Sequence, residues 1–265
     1  MTKLSIITVC LNEAKTIEKT LKSVIDQTFT DYEYIVIDGD STDGTLEITD
    51  EFRDRIDIVI SEPDTGIYNA MNKGIKKATG EYVFFLNAGD NFLNKHVLQL
   101  LFSKAPSADL VYCDMSVQIN NGFVLRKQTP KSITKAFMYA DSIPHQATFT
   151  KKEMFVKHAN FDESYKVAAD YELSLNLIFS QNISTEYYPL IISEYNLLGI
   201  SASEEHRKQF FEERLKAQKK YLGAGTVSLC ILLKPLILLR YKFLPIAYYM
   251  LRSKLSPNYL KNSDG

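Results

Sequence analysis

The chain of 265 residues has no tryptophan and only three cysteines, Cys10, Cys113 and Cys230. Cysteines that are so few and so widely separated indicate neither a disulfide framework nor a zinc site. Cys10 and Cys113 lie in apolar runs, and free cysteine is usually buried, so we expect both in the hydrophobic core. Covalent cross-links and structural zinc are therefore not expected in this fold.

A large net charge is also missing, because 31 lysine and arginine residues face 32 acidic residues, for a formal net charge of −1. This balance offers no global argument for nucleic-acid binding. No segment reaches the roughly 18–20 unbroken apolar residues of a membrane-spanning helix. No signal-peptide pattern follows Met1, which predicts a cytoplasmic location. The hydrophobic content of 45% is sufficient for a substantial core.

The first half of the chain alternates short apolar runs, typical of buried strands, with amphipathic segments of helical spacing. We predict strands over 4–9, 34–37, 56–60, 82–86 and 109–114. Helices are predicted over 17–25, 46–52, 68–78 and 97–102, with Asn12 as the N-cap of the first. This alternation with short connections predicts an α/β fold, with a mostly parallel sheet flanked by helices.

The second half is less regular. Strands and loops are expected over 116–150, with an Asn-Asn-Gly turn at 120–122, followed by a helix over 170–179 and a strand over 186–194. A charged helix is predicted over 204–221.

Polar residues follow four of the predicted strands, and ligands of such sheets bind outside the carboxyl ends of the strands. These residues are Asn12, Glu13, Asp38, Asp40, Asp43, Glu62, Asp64, Asn87 and Asp90. Each loop alone is weak evidence for a ligand-binding site, but four such loops at one edge of a sheet are stronger evidence.

Each loop has a functional and a structural interpretation. The carboxylates from Asp38 to Asp43 could accept hydrogen bonds from a nucleobase or ribose, or the segment could be a polar turn. Asp90 could hold Mg²⁺ or Mn²⁺ together with substrate phosphates, or it could cap the next helix. In the segment 62–74, which is polar at its start and amphipathic after it, Asn69, Asn72 and Lys73 could line a site.

Asp170 lies at the start of a predicted helix, where the helix dipole favours its ionised form, as a general base requires. The alternative is an ordinary aspartate of a first helical turn. His145 could bind a phosphate or an acceptor, or it could make a structural hydrogen bond. The chain lacks a P-loop and an HExxH motif, and the absence of G-x-G-x-x-G disfavours a nicotinamide-binding site.

Five segments in order carry a family resemblance: LSIITVCLN at 4–12, IVIDGDSTDGT at 35–45, SEPDTGIYNAMNKG at 61–74, ATGEYVFFLNAGD at 78–90 and ADYEL at 169–173. Together they resemble the family 2 glycosyltransferases, over roughly residues 3–200. The resemblance implies the GT-A fold and an inverting transferase, of hexosyltransferase type, that uses a nucleotide-diphosphate sugar donor. Bacterial surface polysaccharide or glycolipid assembly is the implied context.

The resemblance also implies roles for individual residues. Asp38 falls on the nucleobase contact, Asp90 on the Mg²⁺ or Mn²⁺ ligand and Asp170 on the catalytic base. The implied nucleotide-sugar site comprises Thr8, Asn12, Glu13, Asp38, Asp40, Asp64, Asn72, Lys73 and Asn87.

The sequence departs from the family pattern at three points. Met71 stands where many members have an arginine, and Lys73 is its possible replacement. Gly39 stands at the second aspartate of the common Asp-Asp-Gly-Ser pattern, and Asp90 is a single aspartate where the metal motif usually has two.

The expected organisation is a transferase domain over 1–200, with a nucleotide half over about 1–115, an acceptor half over about 116–200 and a helical extension over 201–265. Two alternatives remain. A sugar-nucleotide nucleotidyltransferase would be expected to carry a glycine-rich basic loop after the first strand, and Cys10-Leu11-Asn12-Glu13 is neither. A degenerate, non-catalytic nucleotide-sugar-binding module is the other.

Residues 226–255 are apolar and basic, and Pro235 and Pro245 interrupt any long helix. This composition favours short amphipathic helices at a membrane surface, with the basic residues toward anionic lipid. The protein would then be peripheral at the inner face of the membrane, with a saccharide or a lipid-linked saccharide as acceptor. The alternative is a helix pair that packs on the domain or in a homodimer.

Overall fold

The computed structural model describes residues 2–119, 123–196, 204–233 and 235–236. Within these ranges one sheet has nine strands: β1 Leu4–Cys10, β2 Tyr32–Asp38, β3 Ile58–Ser61, β4 Tyr82–Phe85, β5 Asn91–Phe92, β6 Leu110–Ile119, β7 Phe123–Lys127, β8 Thr148–Lys151 and β9 Thr185–Asn196. Their order is β3-β2-β1-β4-β8-β6-β9-β5, and β7 pairs with β6.

The first four strands are parallel, as predicted, with β1 between β2 and β4, and β3 outside β2. The other half of the sheet is mixed. β8 is antiparallel to both β4 and β6, whereas β6 and β9 are parallel. Antiparallel pairing needs no crossover helix, so this half lacks the regular strand–helix alternation from which the parallel half was predicted.

Nine α-helices lie in the described residues: α1 Ile17–Ile25, α2 Thr45–Asp50, α3 Ile67–Lys77, α4 Val97–Phe102, α5 Lys135–Ala140, α6 Lys152–Lys157, α7 Ala169–Leu175, α8 Glu204–Leu222 and α9 Ala224–Leu232. The predicted helix over 170–179 is α7 continued by a π-helix, Asn176–Ser180. No helix of the described ranges is long and apolar enough to cross a bilayer.

The prediction that Asn12 caps the first helix is wrong. α1 follows Thr16, whereas Asn12 lies earlier in the loop with a φ of 54°. Its side chain is engaged elsewhere, because Asn12 Oδ1 accepts a hydrogen bond from the backbone N–H of Thr42, 2.9 Å away. The turn predicted at 120–122 lies outside the described residues.

Alternate residues of the strands supply two cores, one on each face of the sheet. On β1, Ile7 and Val9 face the core that contains α3, α7 and α8, whereas Ile6 and Cys10 face the core that contains α1 and α4. Cys10 and Cys113 are buried, which confirms the expectation for both. The parallel strands are therefore covered on both sides, and the loops at their carboxyl ends share one exposed edge.

Candidate active site

The loops after β1 and β2 are held together by hydrogen bonds at the carboxyl edge of the sheet. The backbone N–H of Asn12 donates to Ser41 Oγ over 2.8 Å, and the N–H of Glu13 donates to Thr45 Oγ1 over 2.7 Å. The N–H of Ala14 donates to an oxygen of Asp43 over 3.1 Å. The serine, threonine and aspartate of the 39–45 loop thus fix the backbone of the neighbouring loop.

A cavity of about 760 Å³ opens at this edge. It brings together six of the predicted site residues: Glu13, Asp64, Asn87, Asp90, His145 and Asp170. Glu13, Asp64, Asn87 and Asp90 lie in loops that the parallel strands bring to one edge, whereas His145 precedes β8 and Asp170 lies in α7. An apolar wall adjoins them, with Met115, Val117, Ile143, Tyr195 and Phe210.

Asp170 is the second residue of α7, and about a quarter of its side chain is exposed (27%). Oδ2 lies 3.0 Å from His145 Nδ1, and Oδ1 accepts the backbone N–H of Tyr171 over 2.8 Å. Tyr68 Oη donates to Oδ1 over 3.4 Å. Burial acts to raise the pKa of Asp170, but these hydrogen bonds outweigh it and hold the pKa below its ordinary value. Asp170 is therefore an ionised acceptor at neutral pH.

His145 joins Asp170 to the loop after β4. Its Nδ1 contacts Asp170, and its Nε2 lies 3.3 Å from Asn87 Nδ2. Burial acts to lower the pKa of His145, but the hydrogen bond and charge of Asp170, together with the charge of Asp90, raise it. The imidazole therefore donates through Nδ1 to the carboxylate, which fixes the orientation of Asp170.

Asp90 lies at the end of the loop after β4, and only 6% of its surface is exposed. Burial raises the pKa of Asp90 to about 6, and the charge of His145 and a hydrogen bond with Gln146 oppose this shift. The backbone around Asp90 is anchored to α1, because Thr20 Oγ1 donates to the carbonyl of Asp90 over 2.8 Å. The backbone that carries the carboxylate is thus anchored, and burial makes ionisation of the carboxylate unfavourable.

Asn87 supplies a second oxygen on the same loop. Its Oδ1 is buried and accepts no hydrogen bond from any residue that the structure describes. An unpaired oxygen and a buried carboxylate that line one cavity from the same loop fit a hard divalent cation, which prefers oxygen ligands. The described residues contain no group of three or more histidine, cysteine or acidic side chains that could hold a metal. The donor set therefore fits Mg²⁺ or Mn²⁺ only where substrate oxygens and water complete the coordination.

Gly39 explains how the loop after β3 approaches the loop after β2. A Cβ at position 39 would lie 2.5 Å from Asp64 Oδ2 and 3.4 Å from Leu11 Cδ1. Asp64 therefore occupies the space that a side chain at position 39 would need, and Oδ1 of Asp64 accepts the N–H of Gly66 over 2.7 Å. A carboxylate from a different loop thus lies beside Gly39, where the family pattern has an aspartate.

The other predicted residues, Thr8, Asn12, Asp38, Asp40, Asn72 and Lys73, do not line this cavity. Thr8 is buried, and its hydroxyl donates to the carbonyl of Leu86 over 2.8 Å. Asp38 is buried too, and it accepts hydrogen bonds from the backbone N–H of Ser41 and from Ser61 Oγ, 3.0 and 2.7 Å away. These two residues therefore link the ends of neighbouring strands.

Asp40, Asn72 and Lys73 do not line the cavity either. Asp40 is exposed, with a φ of 70°. The side-chain amide of Asn72 exchanges two hydrogen bonds with the backbone of Phe161, 2.9 and 3.0 Å long. Lys73 Nζ pairs with Glu62 over 2.8 Å, so it is engaged away from the cavity.

The sequence reasoning missed the cations that line the cavity, Lys127, Lys166 and Arg214. Lys127 pairs with Asp141 over 3.0 Å, and the guanidinium of Arg214 lies 4.0 Å from the centre of the Tyr171 ring. None of the three belongs to a strand-end loop of the parallel half, because Lys127 ends β7, Lys166 precedes α7 and Arg214 lies on α8. No local sequence signal distinguishes them from surface cations.

Comparison with known proteins yields a family and several relatives. Residues 5–162 match the sequence model of the family described as Glycosyl transferase family 2. The chain is 28% identical over 214 residues to a PGL/p-HBAD biosynthesis glycosyltransferase of Mycobacterium bovis, covering 78% of this chain and 82% of the relative. It is 29% identical over 221 residues to the UDP-Glc:alpha-D-GlcNAc-diphosphoundecaprenol beta-1,3-glucosyltransferase WfgD of Escherichia coli, covering 83% and 85%.

Solved structures share the fold. The mannosyltransferase PcManGT from Pyrobaculum calidifontis, in complex with GDP-Man and Mn²⁺, superposes with a TM-score of 0.64 at 16% identity, over 96% of this chain and 75% of that one. S. aureus TarS 1-349 in complex with UDP superposes with a TM-score of 0.62 at 22% identity, over 83% and 72%. The GT-A fold implied by the five sequence segments is thereby confirmed.

Proposed function

Because the chain belongs to glycosyl transferase family 2, we propose that it moves a hexose from a nucleotide-diphosphate donor to an acceptor hydroxyl, with inversion at the anomeric carbon. The observation that carries the proposal is the cavity in which Asp170, His145, Asn87 and Asp90 meet. Its lining includes an ionised carboxylate held by an imidazole, and a buried carboxylate on the same loop as an unpaired amide oxygen.

In this proposal Asp170 takes the proton of the acceptor hydroxyl. The acceptor oxygen then forms the new bond to the anomeric carbon, while the bond from that carbon to the diphosphate breaks and the nucleoside diphosphate leaves. His145 holds Asp170 in the ionised form and in one orientation. Asp90 and Asn87 would hold Mg²⁺ or Mn²⁺, which supplies positive charge to the leaving diphosphate.

The donor is assigned to the nucleotide half, residues 1–115. Glu13 and Asp64 line the cavity there and are proposed to contact the nucleoside. The buried Thr8 and Asp38 hold the strand ends, and Asn12 holds the adjoining loop. Asp40, Asn72 and Lys73 do not line the cavity. They are proposed to support the donor-binding loops rather than to contact the donor.

The acceptor is assigned to residues 116–200 and the apolar wall. Val117, Ile143 and Tyr195 face the same cavity as Asp170, which suits an acceptor with an apolar part next to its sugar. The name of the Escherichia coli relative specifies a sugar on diphosphoundecaprenol as its acceptor. A lipid-linked saccharide in glycolipid or surface polysaccharide assembly is therefore the proposed acceptor class.

The test combines donor binding with product analysis. Nucleotide sugars are first screened by thermal shift with Mn²⁺, since a ligand that binds the folded state raises the melting temperature. Transfer from the best donor to a lipid-linked saccharide is then followed, and the anomeric configuration of the product is read by NMR. We expect inversion. Retention would overturn the mechanism, and formation of a nucleotide sugar from a nucleoside triphosphate and a sugar 1-phosphate would identify a nucleotidyltransferase instead.

The helix α9 supports a peripheral membrane location. Leu229, Ile231 and Leu232 are between 55% and 77% exposed, whereas Val227 and Cys230 are buried. Of the apolar, basic tail 226–255, residue 234 and residues 237–255 lie outside the described part of the chain. The exposed apolar side chains, followed by a basic sequence, suit the surface of an anionic membrane.

Replacing Leu229, Ile231 and Leu232 together by serine is expected to lower binding to phosphatidylglycerol vesicles by at least about 10-fold, because three apolar side chains no longer insert. Co-sedimentation measures the effect, and Val156→Ser, an exposed valine on α6, is the matched control. The face would instead be a dimer interface if the wild-type protein did not bind vesicles and was a homodimer, and if the triple variant was a monomer.

A further inference from the structure

Glu213 of α8 binds the backbone that leads into α7. One carboxylate oxygen accepts the N–H of Lys166 over 2.9 Å. The other accepts the N–H groups of Val167 and Ala168, each over 3.0 Å. Three consecutive backbone donors therefore converge on one side chain, and Asp170 follows two residues later.

This contact meets a local need of α7. The first N–H groups of a helix and of its entry have no intrahelical acceptor, and Ala168, the N-cap residue, has no side chain that could supply one. Ala168 is fully buried, and Val167 is 8% exposed, so water does not readily replace the missing acceptor. Glu213, which lies on α8, thus acts as the N-terminal cap of α7.

Neighbouring residues of α8 hold the first turn of α7 from the same side. The guanidinium of Arg214 lies over the ring of Tyr171, and Gln218 Nε2 donates to Tyr171 Oη over 3.0 Å. Lys220 Nζ pairs with the buried Glu172 over 3.0 Å. The residues on the C-terminal side of Asp170 are therefore fixed by α8, just as Glu213 fixes those on its N-terminal side.

We propose that Glu213 is a positioning residue for the base, and that the catalytic unit extends through α8 to residue 222 instead of ending near residue 200. Glu213 does not line the cavity and acts through residues 166–168. The inference rests on the proposed function, in which Asp170 is the base. Because a general base must lie within hydrogen-bond reach of the acceptor hydroxyl, a small displacement of α7 lowers the rate without altering donor binding.

Glu213→Gln tests this proposal, because the amide turns an NH₂ group toward backbone N–H donors. We expect kcat for transfer to fall about 10- to 100-fold, the range that a misplacement of about 1 Å can cause. UDP affinity, measured by calorimetry with Mn²⁺, should stay unchanged, and Glu213→Asp should recover part of the rate. Glu212→Gln is the matched control, since Glu212 is exposed and pairs with Lys208, on its own helix, over 3.9 Å.

A double variant separates positioning from general stability. If Glu213 acts through Asp170, adding Glu213→Gln to Asp170→Asn should cause no further loss in the residual rate. A further loss of the same size in that background, or a normal rate in Glu213→Gln itself, overturns the proposal. Failure of the proposed function looks different, because Asp170→Asn alone would then transfer sugar at the normal rate.

Discussion

Asp170→Asn is expected to lower kcat for sugar transfer by about 10²- to 10⁴-fold, the contribution typical of a general base. Asparagine has nearly the same shape, and its oxygen can still accept the N–H of Tyr171, so α7 should keep its start. It cannot take a proton. The pKa of Asp170 lies below its ordinary value, so the wild-type carboxylate is available as a base throughout the neutral range.

Rate and binding are measured separately in this experiment. Transfer is followed by product formation, and UDP affinity by calorimetry, which should give the same value for both proteins because the base does not hold the nucleotide. Asp162→Asn is the matched control, since Asp162 accepts the N–H of Ser164 on the loop before α7 and does not line the cavity. Normal turnover in Asp170→Asn would falsify the assignment of the base.

The parallel half of the fold was predictable because its strands are short, nearly pure apolar runs between amphipathic helices. Once β1 to β4 were known to be parallel, the meeting of Glu13, Asp64, Asn87 and Asp90 at one edge followed from the geometry of such sheets. The wrong prediction at Asn12 has a non-local cause. The side chain of Asn12 accepts a hydrogen bond from the backbone N–H of Thr42. No pattern in the segment around Asn12 indicates this contact.

The role proposed for Asp170 could not be obtained from its own segment, where it resembles any aspartate of a first helical turn. The family resemblance singled it out, and the structure adds its contact with His145, which comes from another loop. The same limit applies to α8. Its sequence reads as a charged surface helix, yet Arg214 and Gln218 are buried against α7. Packing between segments distant in the chain decides which charged residues are buried, and periodicity does not record it.

The second large effect is expected at Asp90. Asp90→Asn should lower the transfer rate by about 100-fold or more, because charge stabilisation by a bound metal is worth several kcal/mol. Asparagine keeps an oxygen but removes the negative charge, which is the main attraction that the described residues of this loop offer a cation. In the wild type, chelation by EDTA should lower the rate similarly, and Mn²⁺ or Mg²⁺ should restore it.

The effect of Mn²⁺ on UDP affinity provides a second test of the proposed metal site at Asp90 and Asn87. UDP should bind the wild type more tightly when Mn²⁺ is present, whereas Asp90→Asn should show little gain, and Asn87→Ala should lie between them. Asp26→Asn, at the exposed end of α1, is the control. If Mn²⁺ did not change the UDP affinity and EDTA did not lower the transfer rate, transfer would proceed without a metal.

The stability of the metal-free protein should move in the opposite direction from its activity. Asp90 is a buried carboxylate whose pKa burial raises to about 6, so its charge at neutral pH opposes folding when no cation is bound. Asp90→Asn removes that charge, and its melting temperature without metal should equal or exceed that of the wild type. Added Mn²⁺ and UDP should then stabilise the wild type and not the variant. A variant that instead melts well below the metal-free wild type would mean that Asp90 supports the fold rather than a cation.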